Sequence, residues 1–218
     1  MWCIGKMDAE YRKRMYDILD LYAEPYDSLY PVLGIDEKPK QILGEKCSAL
    51  PMKAGTCERY DYQYIRRGTA NIFVGVEPKG GRRLAQVTSK KKKKDFAAFM
   101  DMVVKAYPKV KRIRVVLDNY ATHFPSSFYE TFTKKKAERL LHKLEFHYTP
   151  VHASWLDVAE AEIGIMDTEC TGKRIGDMET LTKEVAAWMQ RRNEQKKCIN
   201  WKFTKEDANR KLARHYVI

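Results

Sequence analysis

A mixed α/β fold, a β-sheet covered by α-helices, is what this sequence predicts, and three observations carry the prediction. Three β-leaning runs, "YDYQYIRRGT", "ANIFVGVEP" and "RRLAQVTS", follow one another, the last two divided by a turn at Gly80 and Gly81, as in an antiparallel meander. Beyond them apolar runs alternate with stretches of helical periodicity, which calls for crossover connections and parallel strands. An apolar content of 44% over 218 residues can fill the core of such a sheet.

The elements follow in order. In residues 8–23, Tyr11, Met15, Ile18, Leu19 and Tyr22 recur at three- and four-residue spacings, so an amphipathic helix is expected, stopped by Pro25. "PVLGIDEKP" reads as a short buried strand between Pro31 and Pro39 with Asp36 near its end, and residues 47–60 read as a loop. After the meander, Phe96, Phe99, Met100, Val103, Val104 and Tyr107 form a helical stripe ended by Pro108. "RIRVVLDNY" is too apolar for an edge strand and ends on Asp118. A single basic helix is expected over "FYETFTKKKAERLLHKL", then a strand "LEFHYTP". A helix capped by Ser154 in "SWLDVAEAEIGIM" and a last helix starting from Asp177 complete the order. Residues 1–30 are expected as a helical lead-in and residues 31–218 as one domain.

Lysine and arginine exceed aspartate and glutamate by 12, giving a sequence pI near 9.4 and a field that attracts polyanions. Nucleic acid is the default partner, with solubility as the alternative reading of the same charge. The five consecutive lysines at positions 90–94 join a strand to a helix and are expected as a solvated loop, at most a non-specific phosphate contact. Cys3, Cys47, Cys57, Cys170 and Cys198 are odd in number and never spaced C-x-x-C, against a disulfide scaffold or a zinc ribbon. With no apolar run of about 18 residues, no membrane span is expected, and the chain reads as cytoplasmic.

Acids at strand ends suggest phosphodiester chemistry. Two divalent ions about 4 Å apart can stabilise both the attacking and the leaving oxygen, and magnesium takes oxygen ligands. Asp36 and Asp118 occupy strand-end positions, although either alone serves equally well to cap a turn. For a third ligand Asp157, Glu160 and Glu162 compete. Asp157 and Glu160 share a helical face and the two glutamates point about 200° apart, but periodicity does not choose between them.

"GIDEKPKQILGE", "RVVLDNYATH", "FHYTPVHASWLDVAEAEIGIM" and "INWKFTKEDANRKL", in that order, resemble the catalytic domain of bacterial insertion-sequence transposases related to the mariner superfamily. The resemblance spans residues 2–216 and implies a ribonuclease-H-like fold carrying a DDE triad. It maps the triad onto Asp36, Asp118 and Glu160 as catalytic residues and metal ligands, selects Glu160 over Glu162, and implies Mg²⁺ or Mn²⁺, two ions, as cofactor. Asp157 stands where the family usually has asparagine. The resemblance also implies double-stranded DNA, both element ends and target, as partner, a homodimer, and cut-and-paste movement. Helix-turn-helix recognition modules usually precede this domain in the family, so end recognition is expected from a separate polypeptide or a segment outside this chain. A rival reading is a DNA-binding domain without catalysis.

Around the triad, Lys38 and Lys40 beside Asp36, and His152 beside the Glu160 helix, are candidate DNA-backbone contacts or solvated charges. His123 is a candidate to position a phosphate, or a packed histidine, and Asn119 orients a ligand or makes a turn. Arg191 and Arg192 are candidate distal phosphate contacts, and Trp155 is expected in the core.

Overall fold

A computed structural model describes residues 7–47, 50–59 and 61–216; Cys3 and Trp2 fall outside them. The chain runs α1 (Ala9–Ala23), β1 (Val32–Glu45), β2 (Tyr64–Glu77), β3 (Arg82–Thr88), α2 (Lys93–Ala106), β4 (Ile113–Leu117), α3 (Ser126–Thr131), α4 (Lys134–His142), β5 (Leu144–Tyr148), α5 (Val158–Met166), α6 (Met178–Gln195) and α7 (Lys205–Leu212). The five strands form one mixed sheet in the order β3-β2-β1-β4-β5. The first three pair antiparallel, and β4 joins β1 and β5 in parallel.

Alternation along the strands sorts the core into two faces. Leu33, Ile35, Val115 and Leu117 point to the side covered by α2, α3 and α4, where Phe96, Phe99, Phe128 and Leu140 complete the cluster. Val116 points the other way, to Ile18 and Leu19 of α1, to Leu156, and to Val158 and Ala159 of α5. Further along that face, Ile72 and Val74 of β2 meet Leu181, Val185 and Trp188 of α6.

Four local expectations are corrected. β1 continues past Pro39 to Glu45, because beyond Gly34 it is paired with β2 alone and an edge stretch tolerates a residue without an N–H. "YDYQYIRRGT" and "ANIFVGVEP" are one strand, β2, joined across a bulge where the register shifts between Gln41 and Leu43 and Gly68 takes φ +113°. The basic helix breaks into α3 and α4 at Phe132, which is extended and packs against the core. Ser154 opens a single 3₁₀ turn, Ser154–Leu156, and Asp157 caps α5, accepting from Ala159 N–H at 2.8 Å.

Gly34 sets how closely α5 approaches the sheet. A Cβ there would lie 2.5 Å from Val158 Cγ1 and 2.9 Å from Asp157 Oδ1. Gly34→Ala is therefore expected to push α5 off the sheet and destabilise the protein by about 1–3 kcal/mol, read by urea unfolding. A variant as stable as the parent would contradict this account of the contact.

Candidate catalytic site

The parallel pairing of β1 and β4 runs from Val32 opposite Arg114 to Gly34 opposite Val116. Asp36 on β1 and Asp118, the residue after β4, each lie two residues beyond that last pair, near enough for the charge of Asp118 to act on Asp36. Both share the parity of Gly34 and Val116 and so face α5. Glu160 stands in the first turn of α5, exposed, and its carboxylate makes no hydrogen bond or ion pair among the described residues.

Burial pushes the pKa of Asp36 up to about 6 against the lowering hydrogen bond from Glu37 N–H, and the charges of Glu37, Asp118 and Glu160 add to the rise. Asp36 thus feels the charge of both other carboxylates of the predicted triad. Asp118 goes the other way. Burial raises it, but His123 Nδ1 at 2.7 Å, the Tyr120 N–H at 2.9 Å and the positive charges of His123 and Lys91 hold it below its ordinary value.

His123 is fully buried, with Nδ1 toward Asp118 and Nε2 2.8 Å from Glu37 Oε1. Burial alone would lower its pKa, yet the two carboxylates raise it to about 9, so an imidazolium donates to both. It cannot touch a phosphate; it holds Asp118 from behind. Because its folded pKa is raised, its contribution to stability is complete below pH 6.5 and is lost as pH climbs through 9. Metal-free protein should lose on the order of 3 kcal/mol across that window, and His123→Gln should flatten the profile. A parent whose unfolding free energy is level from pH 6.5 to 9 would refute the buried imidazolium.

Asp157 is buried, and its carboxyl sits well above the usual range, first through burial and then through the charge of Asp36, despite the hydrogen bond from Ala159 N–H. A neutral carboxylic acid presents the oxygen acceptor that an asparagine would, which reconciles this acid with the cap it makes. Glu162 is spent elsewhere: fully buried, it lies 2.9 Å from Arg83 Nη2 and 2.9 Å from Arg192 Nε.

The neighbouring candidates divide. Lys38 pairs with Asp167 at 3.0 Å, and Lys40 donates to the carbonyls of Thr171 and Lys173, closing the turn after α5. Asn119 accepts from Arg14 at 2.7 Å and donates to the Thr149 carbonyl, tying β4 to α1 and β5. His152, exposed at φ +62°, shares a groove with Arg14 and Tyr11. Arg191 is exposed, whereas Arg192 is buried against Glu162 and is not a phosphate contact. Trp155 is 37% exposed, edge-on to Phe203, and is not a core residue. Sequence reasoning missed Glu37, Tyr120 and Gly34, and it placed Lys91 in a solvated loop without joining it to Asp118. Only Gly34 carried a readable signal, since a glycine inside a strand marks a close approach.

The donor set suits a hard divalent cation: three carboxylates on one side of the sheet, with Asp36 and Asp118 each using one oxygen in hydrogen bonds and keeping the other free. Among the described residues, however, no three acidic, histidine or cysteine side chains stand close enough together to hold a metal ion as they are placed.

A family described as DDE superfamily endonuclease matches residues 31–182, more than half of the chain and all three acids. This chain belongs to the DDE superfamily endonucleases. The chain resembles the Mos1 strand transfer complex with a TM-score of 0.50 at 13% identity, over 90% of this chain and 61% of that one. Against the mariner Mos1 paired end complex with Mg the TM-score is 0.51 at 13% identity, over 100% of this chain and 66% of that one. The likeness is one of fold, the ribonuclease-H-like mixed sheet flanked by helices, and this chain spans less than two thirds of the Mos1 chains. No curated protein matches the sequence.

Proposed function

We propose that this DDE endonuclease is the catalytic domain of a cut-and-paste transposase in the mariner-related insertion sequence 630 family, with Asp36, Asp118 and Glu160 as its catalytic residues. The observation that carries the reading is that Asp36 on β1 and Asp118 at the end of β4, each two residues past the last β1–β4 pair, share the sheet face covered by α5, whose first turn carries the exposed Glu160. The partners are the element's double-stranded DNA ends and target DNA, with a second copy of the chain to pair two ends and a recognition module supplied from outside this segment. The place of action is the bacterial cytoplasm.

The three acids would hold Mg²⁺ or Mn²⁺ through their free oxygens. When bound, a pair of such ions stabilises charge on the attacking and leaving oxygens of an in-line displacement. The chain's own work is positional. The Glu37–His123–Asp118 line keeps Asp118 ionised and fixes which oxygen it offers. Gly34 lets the start of α5, Asp157 and Val158, seat closely against β1, and Glu160 follows in that first turn. The Asp157 cap fixes the start of that helix.

Plasmid carrying the element ends, incubated with the protein, its recognition module and Mg²⁺ or Mn²⁺, should give nicks at those ends and then joined products. DNA binding with neither product would leave a DNA-binding domain without catalysis.

A further inference from the structure

The lysines at positions 90–94 span the connection from β3, ending at Thr88, to α2, beginning at Lys93. Lys93 is neutralised by Glu130. Lys90, Lys91, Lys92 and Lys94 are exposed and make no salt bridge among the described residues. Four closely spaced cations with no ion-pair partner repel one another, a cost that a bound polyanion removes.

Their position is specific. Lys91 to Lys94 line an open groove that also carries Thr122, Thr131 and Glu130, the partner of Lys93, and Thr122 lies four residues beyond Asp118. Lys91 Nζ is held 4.2 Å from the centre of the Tyr120 ring, and the Tyr120 N–H donates to Asp118. The Thr122 hydroxyl, shielded from solvent, has no partner among the described residues. The lysine wall therefore begins at the strand end that carries the candidate catalytic aspartate. Nothing in this arrangement reads a base: the groups are flexible ammoniums, suited to phosphate oxygens at any sequence.

We infer that Lys90, Lys91, Lys92 and Lys94 form a phosphate-tracking wall that carries the DNA backbone into or out of the catalytic centre. The inference rests on the proposed function for its substrate, but its test does not depend on catalysis. Each phosphate neutralised on duplex DNA contributes about 0.9 to the slope of log affinity against log salt. Replacing all four lysines by glutamine should lower that slope by about 3–4, so that between about 50 and 200 mM salt the parent's affinity falls roughly 100-fold more than the variant's.

The measurement is fluorescence anisotropy of a labelled duplex of arbitrary sequence, without metal, on the full chain. A charge-matched variant, Lys105→Gln, Lys109→Gln, Lys111→Gln and Arg112→Gln, removes four cations from the opposite end of α2 and β4 and should keep the parent's slope. The pair Lys90→Gln and Lys92→Gln, which spares the Lys91–Tyr120 contact, should give about half the effect and covers any folding defect of the fourfold variant. A parental slope in the fourfold variant, an equal loss in the opposite-end variant, or a parent that binds no duplex would each overturn the wall. Binding by the wall without any metal-dependent cleavage would defeat the proposed function and leave this inference standing.

Discussion

Asp118→Asn is expected to abolish metal-dependent cleavage, with a loss on the order of 10³-fold or more, while duplex affinity stays near that of the parent. Asparagine keeps the shape and can still accept from the Tyr120 N–H, so the loop after β4 should hold. What it loses is the charge that faces Asp36 and Glu160 and that balances His123. DNA affinity comes from lysines and arginines, and removing a negative charge near them cannot weaken it. A second readout needs no DNA. Divalent ions bound to the folded state raise the melting temperature with concentration, by about 2.7 kcal/mol of stability at 100 times Kd. Mg²⁺ or Mn²⁺ should stabilise the parent in this way and leave Asp118→Asn largely unmoved. A variant that cuts at the parental rate, or that gains the full metal shift, would remove Asp118 from the site.

The legible part of this protein was the part written in periodicity. The stripe at Phe96, Phe99, Met100 and Val103 is the buried face of α2, and the apolar run before Asp118 is a strand with neighbours on both sides. The bulge at Gly68 was not legible, because a strand interrupted by a glycine and two strands divided by one look alike in sequence. Arg192 was misjudged for a related reason. A basic residue near a helix end is usually solvated, and only the fold brings Glu162 and Arg83 to it. The Glu37–His123–Asp118 line joins positions 86 residues apart on β1 and in the loop after β4, a distance that no spacing rule crosses.

Glu162→Gln and Glu160→Gln apply one chemical change at two positions of α5 and are expected to separate its two roles. Glu162 is fully buried with its carboxylate shared by Arg83 and Arg192, both of them buried. Burial raises its pKa, yet the two guanidiniums hold it below the ordinary glutamate value, so it stabilises the fold above that range and the contribution fades as acid protonates it. Glutamine removes the only anion that this pair of cations shares among the described residues, and an uncompensated buried charge costs about 3–5 kcal/mol. In a chain of this size that lowers the melting temperature on the order of 10 °C. Glu160 is exposed and faces two other acids, so Glu160→Gln relieves repulsion and should leave stability within about 0.5 kcal/mol of the parent while cleavage is lost. The reverse pattern, a stable but inactive Glu162→Gln beside an active Glu160→Gln, would transfer the third carboxylate of the site to Glu162. Helical geometry argues against that outcome, since residues two apart point about 200° away from each other. The side of α5 that meets Arg83 and Arg192 cannot also meet Asp36 and Asp118.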